Sequence, residues 1–277
     1  MTVYNKIINS LHHRLYLLRV IMFSPLERFM FRYASLELLG KNVRRKKILV
    51  IGIYLSEVKN YVNEITDEFS SSKFHDVEQI WVSIGDGEIS NKFTMQSTKK
   101  GPKFILLNKV LSEINYHKYD YIIFCDDDVL VKNNFIDKYM ETVEKVDFAL
   151  SQPARSTFSE LSHTITKVDH STIARQTNFV EIGPIFMIRT DLVNNTIPFD
   201  ESSPMGWGYD YTWPIVVGDL GLKMGIIDSA TVNHSIRKTA LHYSAKDSYK
   251  VMEDYLRNNS HIKRSDSFKV LHKYYND

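Results

Sequence analysis

The sequence holds a single cysteine, Cys125, so no internal disulfide can form, and that composition suits a reducing compartment. A cytoplasmic protein is expected. Equally absent is an apolar run of the ~18 residues needed to cross a bilayer, because Arg14 and Arg19 interrupt the only candidate, near the N-terminus. The stretch 15–23 does not read as a cleavable leader either: it contains Arg19 and runs into Ser24-Pro25-Leu26-Glu27-Arg28, which lacks small-residue cleavage chemistry. Net charge is low at +2, with a pI near 8.4, and this argues against the basic stripe of a nucleic-acid binder. No internal repeat and no low-complexity block interrupts the chain.

What is present describes a folded protein. A hydrophobic fraction of 43% and a charged fraction of 25%, over 277 residues, are enough for one large core. The expected division is a helical and basic extension over 1–45 and a main domain over 46–277. In the extension, Ile7, Leu11, Leu15, Leu18 and Met22 recur at three- and four-residue steps within a helical run over 4–39 that Pro25 breaks. Such a helix either covers the main domain or lies on a membrane surface, assisted by Lys41, Arg44, Arg45, Lys46 and Lys47.

From residue 46 the pattern alternates between short apolar strands and amphipathic helices. Strands are expected at 47–53, 80–84, 119–124, 147–151, 178–188 and 223–227, with helices at 57–69, 104–114, 133–144 and 244–256 and a further one opening near 206–210. Strand-helix alternation of this kind predicts an α/β, Rossmann-like, mostly parallel sheet flanked by helices. The Ser- and Thr-rich stretch 156–176 reads as a mobile loop.

The third of these strands ends in Cys125-Asp126-Asp127-Asp128. Open α/β sheets bind ligands beyond the carboxyl ends of their strands, and three adjacent aspartates repel one another unless a cation neutralises them. A hard divalent ion, Mn²⁺ or Mg²⁺, does this with oxygen ligands and leaves positions for a diphosphate. Alternation puts Asp126 and Asp128 on one side. The competing reading is a solvated acidic turn or a helix N-cap.

A second constellation is Gly206-Trp207-Gly208-Tyr209-Asp210. Its glycines let backbone approach a ligand, Trp207 offers a flat ring on which a sugar stacks, and Asp210 is a candidate general base for a hydroxyl proton. The bland alternative makes Trp207 core and Asp210 an N-cap. Gly183, within Glu181-Ile182-Gly183-Pro184, either admits a sugar beside the backbone or marks a bulge. His234 gains meaning only as a further ligand for the acidic triplet.

Taken in order, these residues resemble the GT-A glycosyltransferases of the bacterial surface-glycan type. In that resemblance Asp126-Asp127-Asp128 is the DxD motif, Gly183 lies in the glycine loop, Asp210 takes the xED position, and His234 is the C-terminal metal-binding histidine. Tyr209 stands where those enzymes usually carry an acid. The resemblance spans about residues 46–244. It implies a GT-A fold, a nucleotide bound near Ser83 and Asp86 with Lys103, Asn108, Asp126 and Asp127 in reach, and sugar contacts from Gly183, Trp207 and Gly208. It also implies Mn²⁺ or Mg²⁺ on Asp126, Asp128 and His234, a nucleotide-sugar donor (UDP-linked most often), and a glycan or lipid-linked acceptor. An aspartate base opposite the leaving diphosphate suits single displacement with inversion. Two other classes compete. A metal-dependent nucleotidyltransferase would need a Gly- and Lys/Arg-rich phosphate loop, whereas Tyr54-Leu55-Ser56-Glu57 follows the first strand. A non-catalytic carbohydrate-binding or scaffold protein would have no use for Asp128, Asp210 and His234 together.

Overall fold

A computed structural model of the chain describes residues 15, 18–19, 22–23, 25–32, 34–37, 43–89, 91–237 and 244–276. Nine strands form one sheet: β1 (Lys47–Leu55), β2 (Asp76–Ile84), β3 (Thr94–Thr98), β4 (Tyr121–Asp126), β5 (Leu150–Arg155), β6 (Ala174–Thr177), β7 (Ile185–Arg189), β8 (Met224–Val232) and β9 (Val270–Tyr274). Their order across the sheet is β3-β2-β1-β4-β7-β5-β8-β6-β9.

The expectation of a mostly parallel sheet is corrected to a mixed one. Pairs β1–β2, β1–β4, β2–β3 and β5–β8 run parallel, while β4–β7, β5–β7, β6–β8 and β6–β9 run antiparallel. Strand β7 is the reversal point, entering between β4 and β5 against both. A buried apolar strand reads alike in either direction, so periodicity could not reveal this turn.

Both faces of the sheet are covered. In β1, Leu49, Ile51 and Ile53 face one cluster with Ile122 and Phe124 of β4, while Ile48, Val50 and Tyr54 face another with Tyr121, Ile123 and Cys125. That two-residue alternation fixes which helices each face receives. The first face packs against α3 (Lys103–Ser112), α5 (Thr190–Thr196), α6 (Tyr209–Asp219) and α7 (Ala245–Asn258) through Leu107, Leu192, Trp213 and Tyr255. The second packs against α2 (Val62–Ser70) and α4 (Phe135–Val146) through Ile65, Phe69, Tyr139 and Val143.

The helical run expected over 4–39 lies partly outside the described residues. Residues 25–32, here α1, are helical, as are Leu15, Leu18, Arg19, Met22 and Phe23. Pro25, expected to break the run, is itself helical at the start of α1. The inner side of α1 binds the main domain: Glu27 accepts from the Asn233 amide at 2.9 Å, Arg28 donates to the Ser235 carbonyl at 3.2 Å, and Phe31 is buried. Its outer side exposes Leu26, Phe29 and Met30. Among the described residues no helix is long and apolar enough to cross a membrane.

The stretch 156–176, expected to be a mobile loop, is packed instead. It contains the start of β6, and Ser156, Ser159, Thr166 and Thr172 are buried. Its polar groups find partners across the fold: Arg175 grips Asp228 of β8 through Nε and Nη2 at 2.8 Å each, and Thr172 donates to the same carboxylate at 2.8 Å. Fully paired polar networks can be buried where unpaired ones cannot.

Candidate active site

The carboxyl end of β4 delivers the acidic triplet to the sheet edge, and there the three side chains diverge. Asp126, the last strand residue, turns to the face of α3, where its Oδ1 meets Lys103 Nζ at 2.7 Å. Lys103 also donates to the Ile182 carbonyl at 2.9 Å. Gly183 makes this approach possible. A Cβ there would stand 2.7 Å from Asp126 Oδ2 and 3.0 Å from Lys103 Nζ.

Asp127 turns to the opposite face and is buried. It accepts the Leu55 amide at 2.8 Å and is clasped by the Arg237 guanidinium. Burial pushes its carboxyl up to about 6 even against that cation. Asp128 lies between His234 Nε2, 3.1 Å from Oδ1, and the Arg237 guanidinium, whose Nε is 3.2 Å from Oδ2. Burial acts to raise Asp128, but the charges of His234 and Arg237 outweigh it and hold the carboxyl well below the usual carboxylate range.

Whether these residues fit a divalent cation can be judged from their atoms. Oδ1 of Asp128 is buried and makes no hydrogen bond, although His234 Nε2 is within ion-pair distance. Asp128 Oδ1 and His234 Nε2, 3.1 Å apart, are close enough to be two ligands of one ion, whose remaining positions would be left for water or phosphate oxygens. Asp126 does not join them, being held by Lys103. Among the described residues no group of three or more His, Cys, Asp or Glu side chains is arranged to hold a metal ion.

Beside the triplet opens a cavity of about 320 Å³, the size of a small-ligand site. Its wall carries Asp126, Lys103, Gly183, His234, Trp207, Gly208 and Asp210. The structure thus brings together residues separated by more than a hundred positions in sequence. Gly206 and Gly208 shape the Trp207 side with φ of +80° and +107°, conformations that favour glycine. Gly208 caps α6, and Asp210 sits in that helix's first turn. Its Oδ1 is buried without a hydrogen bond, and burial pushes the carboxyl up to about 7, with His163 opposing and Glu181 adding to the rise.

Besides Asp127, three expected nucleotide contacts lie outside this cavity. Ser83 is buried within β2, Asp86 is exposed beside Lys99, and Asn108 uses both ends of its amide on the Phe199 backbone at 2.8 Å each. None of them lines the cavity.

Sequence reasoning also missed a triad on the cavity wall, two of whose members are buried. Arg155, at the end of β5, donates from Nη2 to Glu181 at 2.8 Å and to the Gly183 carbonyl at 3.0 Å, while His163 Nδ1 meets the other Glu181 oxygen at 2.9 Å. Arg155 and Glu181 are only 4% and 6% exposed, and charged residues are almost never so buried unless paired. The available signal was an arginine closing the strand Leu-Ser-Gln-Pro-Ala-Arg and a glutamate two residues before Gly183; nothing in the spacing joined them.

With the geometry described, comparison with known proteins adds family and fold. A family described as a protein of unknown function (DUF707) matches residues 29–183, more than half of the chain. The chain belongs to the DUF707 family. The matched segment of this DUF707 chain runs from α1 through the acidic triplet to Gly183 and stops short of Asp210 and His234. No curated protein sequence matches it.

Solved structures that are similar to this DUF707 chain share its fold at low identity. GalNAc-T7 with UDP, GalNAc and Mn²⁺ aligns with a TM-score of 0.53 at 9% identity, over 75% of this chain and 48% of that one. S. aureus TarS 1–349 in complex with UDP-GlcNAc aligns at 0.51 and 14%, over 79% and 68%. The mannosyltransferase PcManGT from Pyrobaculum calidifontis, in complex with GDP-Man and Mn²⁺, aligns at 0.55 and 11%, over 92% and 75%. The chain spans about half the length of the GalNAc-T7 chain. The fold is that of GT-A glycosyltransferases.

Proposed function

We propose that the domain over 46–277 is a nucleotide-sugar-dependent glycosyltransferase that moves a hexosyl group to a hydroxyl of a glycan or lipid-linked acceptor. The observation that carries this reading is the convergence of Asp126, Gly183, Trp207, Asp210 and His234 on one cavity at the carboxyl end of β4, in a fold shared with enzymes solved with UDP, UDP-GlcNAc and GDP-Man. By that likeness a UDP-sugar is the first donor to test, with the nucleotide lying over the ends of β1 and β2 towards Asp86.

In the proposed reaction the bond from the sugar's anomeric carbon to the donor diphosphate breaks and one to the acceptor oxygen forms. Asp210 receives the acceptor's proton, and its raised carboxyl is suited to that near neutral pH. Attack from the Asp210 side opposite the leaving diphosphate gives inversion. Trp207 supplies a flat surface for a sugar ring, and Gly183 and Gly208 let the chain approach it. Lys103, held by Asp126, is placed to meet the leaving nucleoside diphosphate. Asp128 and His234 would hold Mn²⁺ or Mg²⁺, which when bound offsets the charge of that leaving group. The outer side of α1, with exposed Leu26, Phe29 and Met30, would rest on the inner face of a membrane where a lipid-linked acceptor is presented.

A thermal-shift panel of UDP-, GDP-, CMP- and dTDP-linked sugars, each with and without Mn²⁺, tests the proposal. A metal-dependent rise with one nucleotide is expected, and Asp128→Ala should abolish it. No rise with any donor, in folded and metal-replete protein, would turn the reading towards a non-catalytic carbohydrate-binding protein.

A further inference from the structure

Arg237 was not among the residues the sequence singled out, yet it makes the densest polar contacts at the triplet. Its guanidinium reaches Asp127 from Nη1 at 3.3 Å and from Nη2, and Asp128 from Nε at 3.2 Å. Its side chain is 11% exposed. A guanidinium on two carboxylates supplies the positive charge that adjacent aspartates require. The same Asp128 carboxylate has its other oxygen turned to His234 without a hydrogen bond.

The chain around Arg237 differs in how firmly it is tied. Asn233 exchanges backbone hydrogen bonds with Leu130, the His234 amide donates to the Ser159 hydroxyl oxygen at 2.8 Å, and Ser235 is held through its carbonyl by Arg28. Arg237 follows two residues later, and its guanidinium is bound to Asp127 and Asp128. His234 can therefore stay in place while Arg237 leaves.

We infer that Arg237 and a divalent cation are alternative occupants of the acidic triplet: the guanidinium closes the site in metal-free protein and must withdraw before Asp128 and His234 can ligate an ion. This rests on the metal reading of Asp128 and His234 given above. A protein that must first open binds its ligand more weakly by the fraction of molecules that are open, so removing Arg237 should tighten metal binding by about tenfold or more.

The test is a titration of the full chain with Mn²⁺, with the unbound ion followed by its paramagnetic resonance signal, for wild type, Arg237→Gln and Asp128→Asn. Tenfold tighter binding by Arg237→Gln, and loss of binding by Asp128→Asn, is the expected pair. Unchanged or weaker binding by Arg237→Gln, with Asp128→Asn still losing the ion, overturns the competition and leaves the metal site intact. Undiminished binding by Asp128→Asn removes the metal reading itself, and failure of both wild type and Arg237→Gln to bind Mn²⁺ removes both. A second readout needs no variant: Mn²⁺ should accelerate modification of Arg237 by phenylglyoxal, followed by peptide mass. Equal protection with saturating Mn²⁺ and without it would overturn the inference even if Arg237→Gln did not fold.

Discussion

Replacing Asp210 with asparagine should make the protein more stable at pH 8 and leave it almost unchanged near pH 4, apart from any constant offset. The carboxyl stands at about 7 in the folded protein against 3.8 for an ordinary aspartate, a rise of about three pH units. At ~1.4 kcal/mol per unit, this corresponds to an upper bound of about 4 kcal/mol. Its sign follows from proton uptake. The folded state binds this proton more tightly than the unfolded chain, so the stabilisation is fully present below pH 4, declines between pH 4 and 7, and is gone above 7. Asparagine stays neutral throughout and is spared that decline. Its amide adds a constant cost where Oδ1 now lacks a partner, shifting the whole curve without changing its shape. Urea denaturation of wild type and Asp210→Asn at half-unit steps from pH 4.5 to 8.5 measures the difference directly. A gap that widens by a few kcal/mol towards pH 7 and then stays level is expected; parallel curves would show that Asp210 titrates like an exposed aspartate. Turnover should show the counterpart, with wild-type kcat/KM rising up to pH 7 and Asp210→Asn lowered by about 10²- to 10⁴-fold.

Arg155→Met should cost about 3–5 kcal/mol in chemical denaturation, because Glu181 is left buried with only His163 beside it; a loss under 1 kcal/mol would mean that water enters and solvates Glu181. Gly206→Ala should destabilise by about 2–4 kcal/mol, since a Cβ would lie 2.1 Å from Phe104 Cε2 in a backbone at φ +80°, and a midpoint unchanged in urea would refute the close contact. Deleting residues before Lys46 should reduce co-sedimentation with liposomes containing anionic lipid, and equal sedimentation would assign the outer side of α1 to something other than a membrane.

The sheet's centre was legible in sequence because both faces of β1 and β4 are apolar and the acidic triplet interrupts the run abruptly. Strand direction was not legible: β7 is Ile-Phe-Met-Ile-Arg, which buries equally well in either orientation. The two edge strands were overlooked for a related reason. Thr94–Thr98 and Val270–Tyr274 are half-buried or exposed and carry no apolar period to find. Polarity misled the reading of 156–176, where Asp228 lies more than fifty residues away from the Thr172 and Arg175 it satisfies. Arg155, His163, Glu181 and Arg237 were hidden in the same way. Each becomes informative only beside a partner that the fold supplies, whereas Asp126 to Asp128 and Gly206 to Asp210 bring their chemistry together within one short segment.

Of the carboxylates that line the cavity, Glu181 and Asp210 are driven in opposite directions by their surroundings. Burial acts to raise Glu181, but Arg155 and His163 contact both of its oxygens and hold it below its ordinary value. Burial likewise acts on Asp210, and no cation touches it, so its carboxyl rises to about 7. Pairs separated in this way mark which acid titrates during a reaction and which stays charged as scaffolding. Glu181 cannot readily take a proton near pH 7, since doing so would release Arg155 into a buried site without its counter-charge. Asp210 exchanges one at little cost. Arg155, already paired with Glu181, also holds the Gly183 carbonyl beside the wall that carries Asp126 and Lys103, and Asp210, with its raised carboxyl, faces the same cavity.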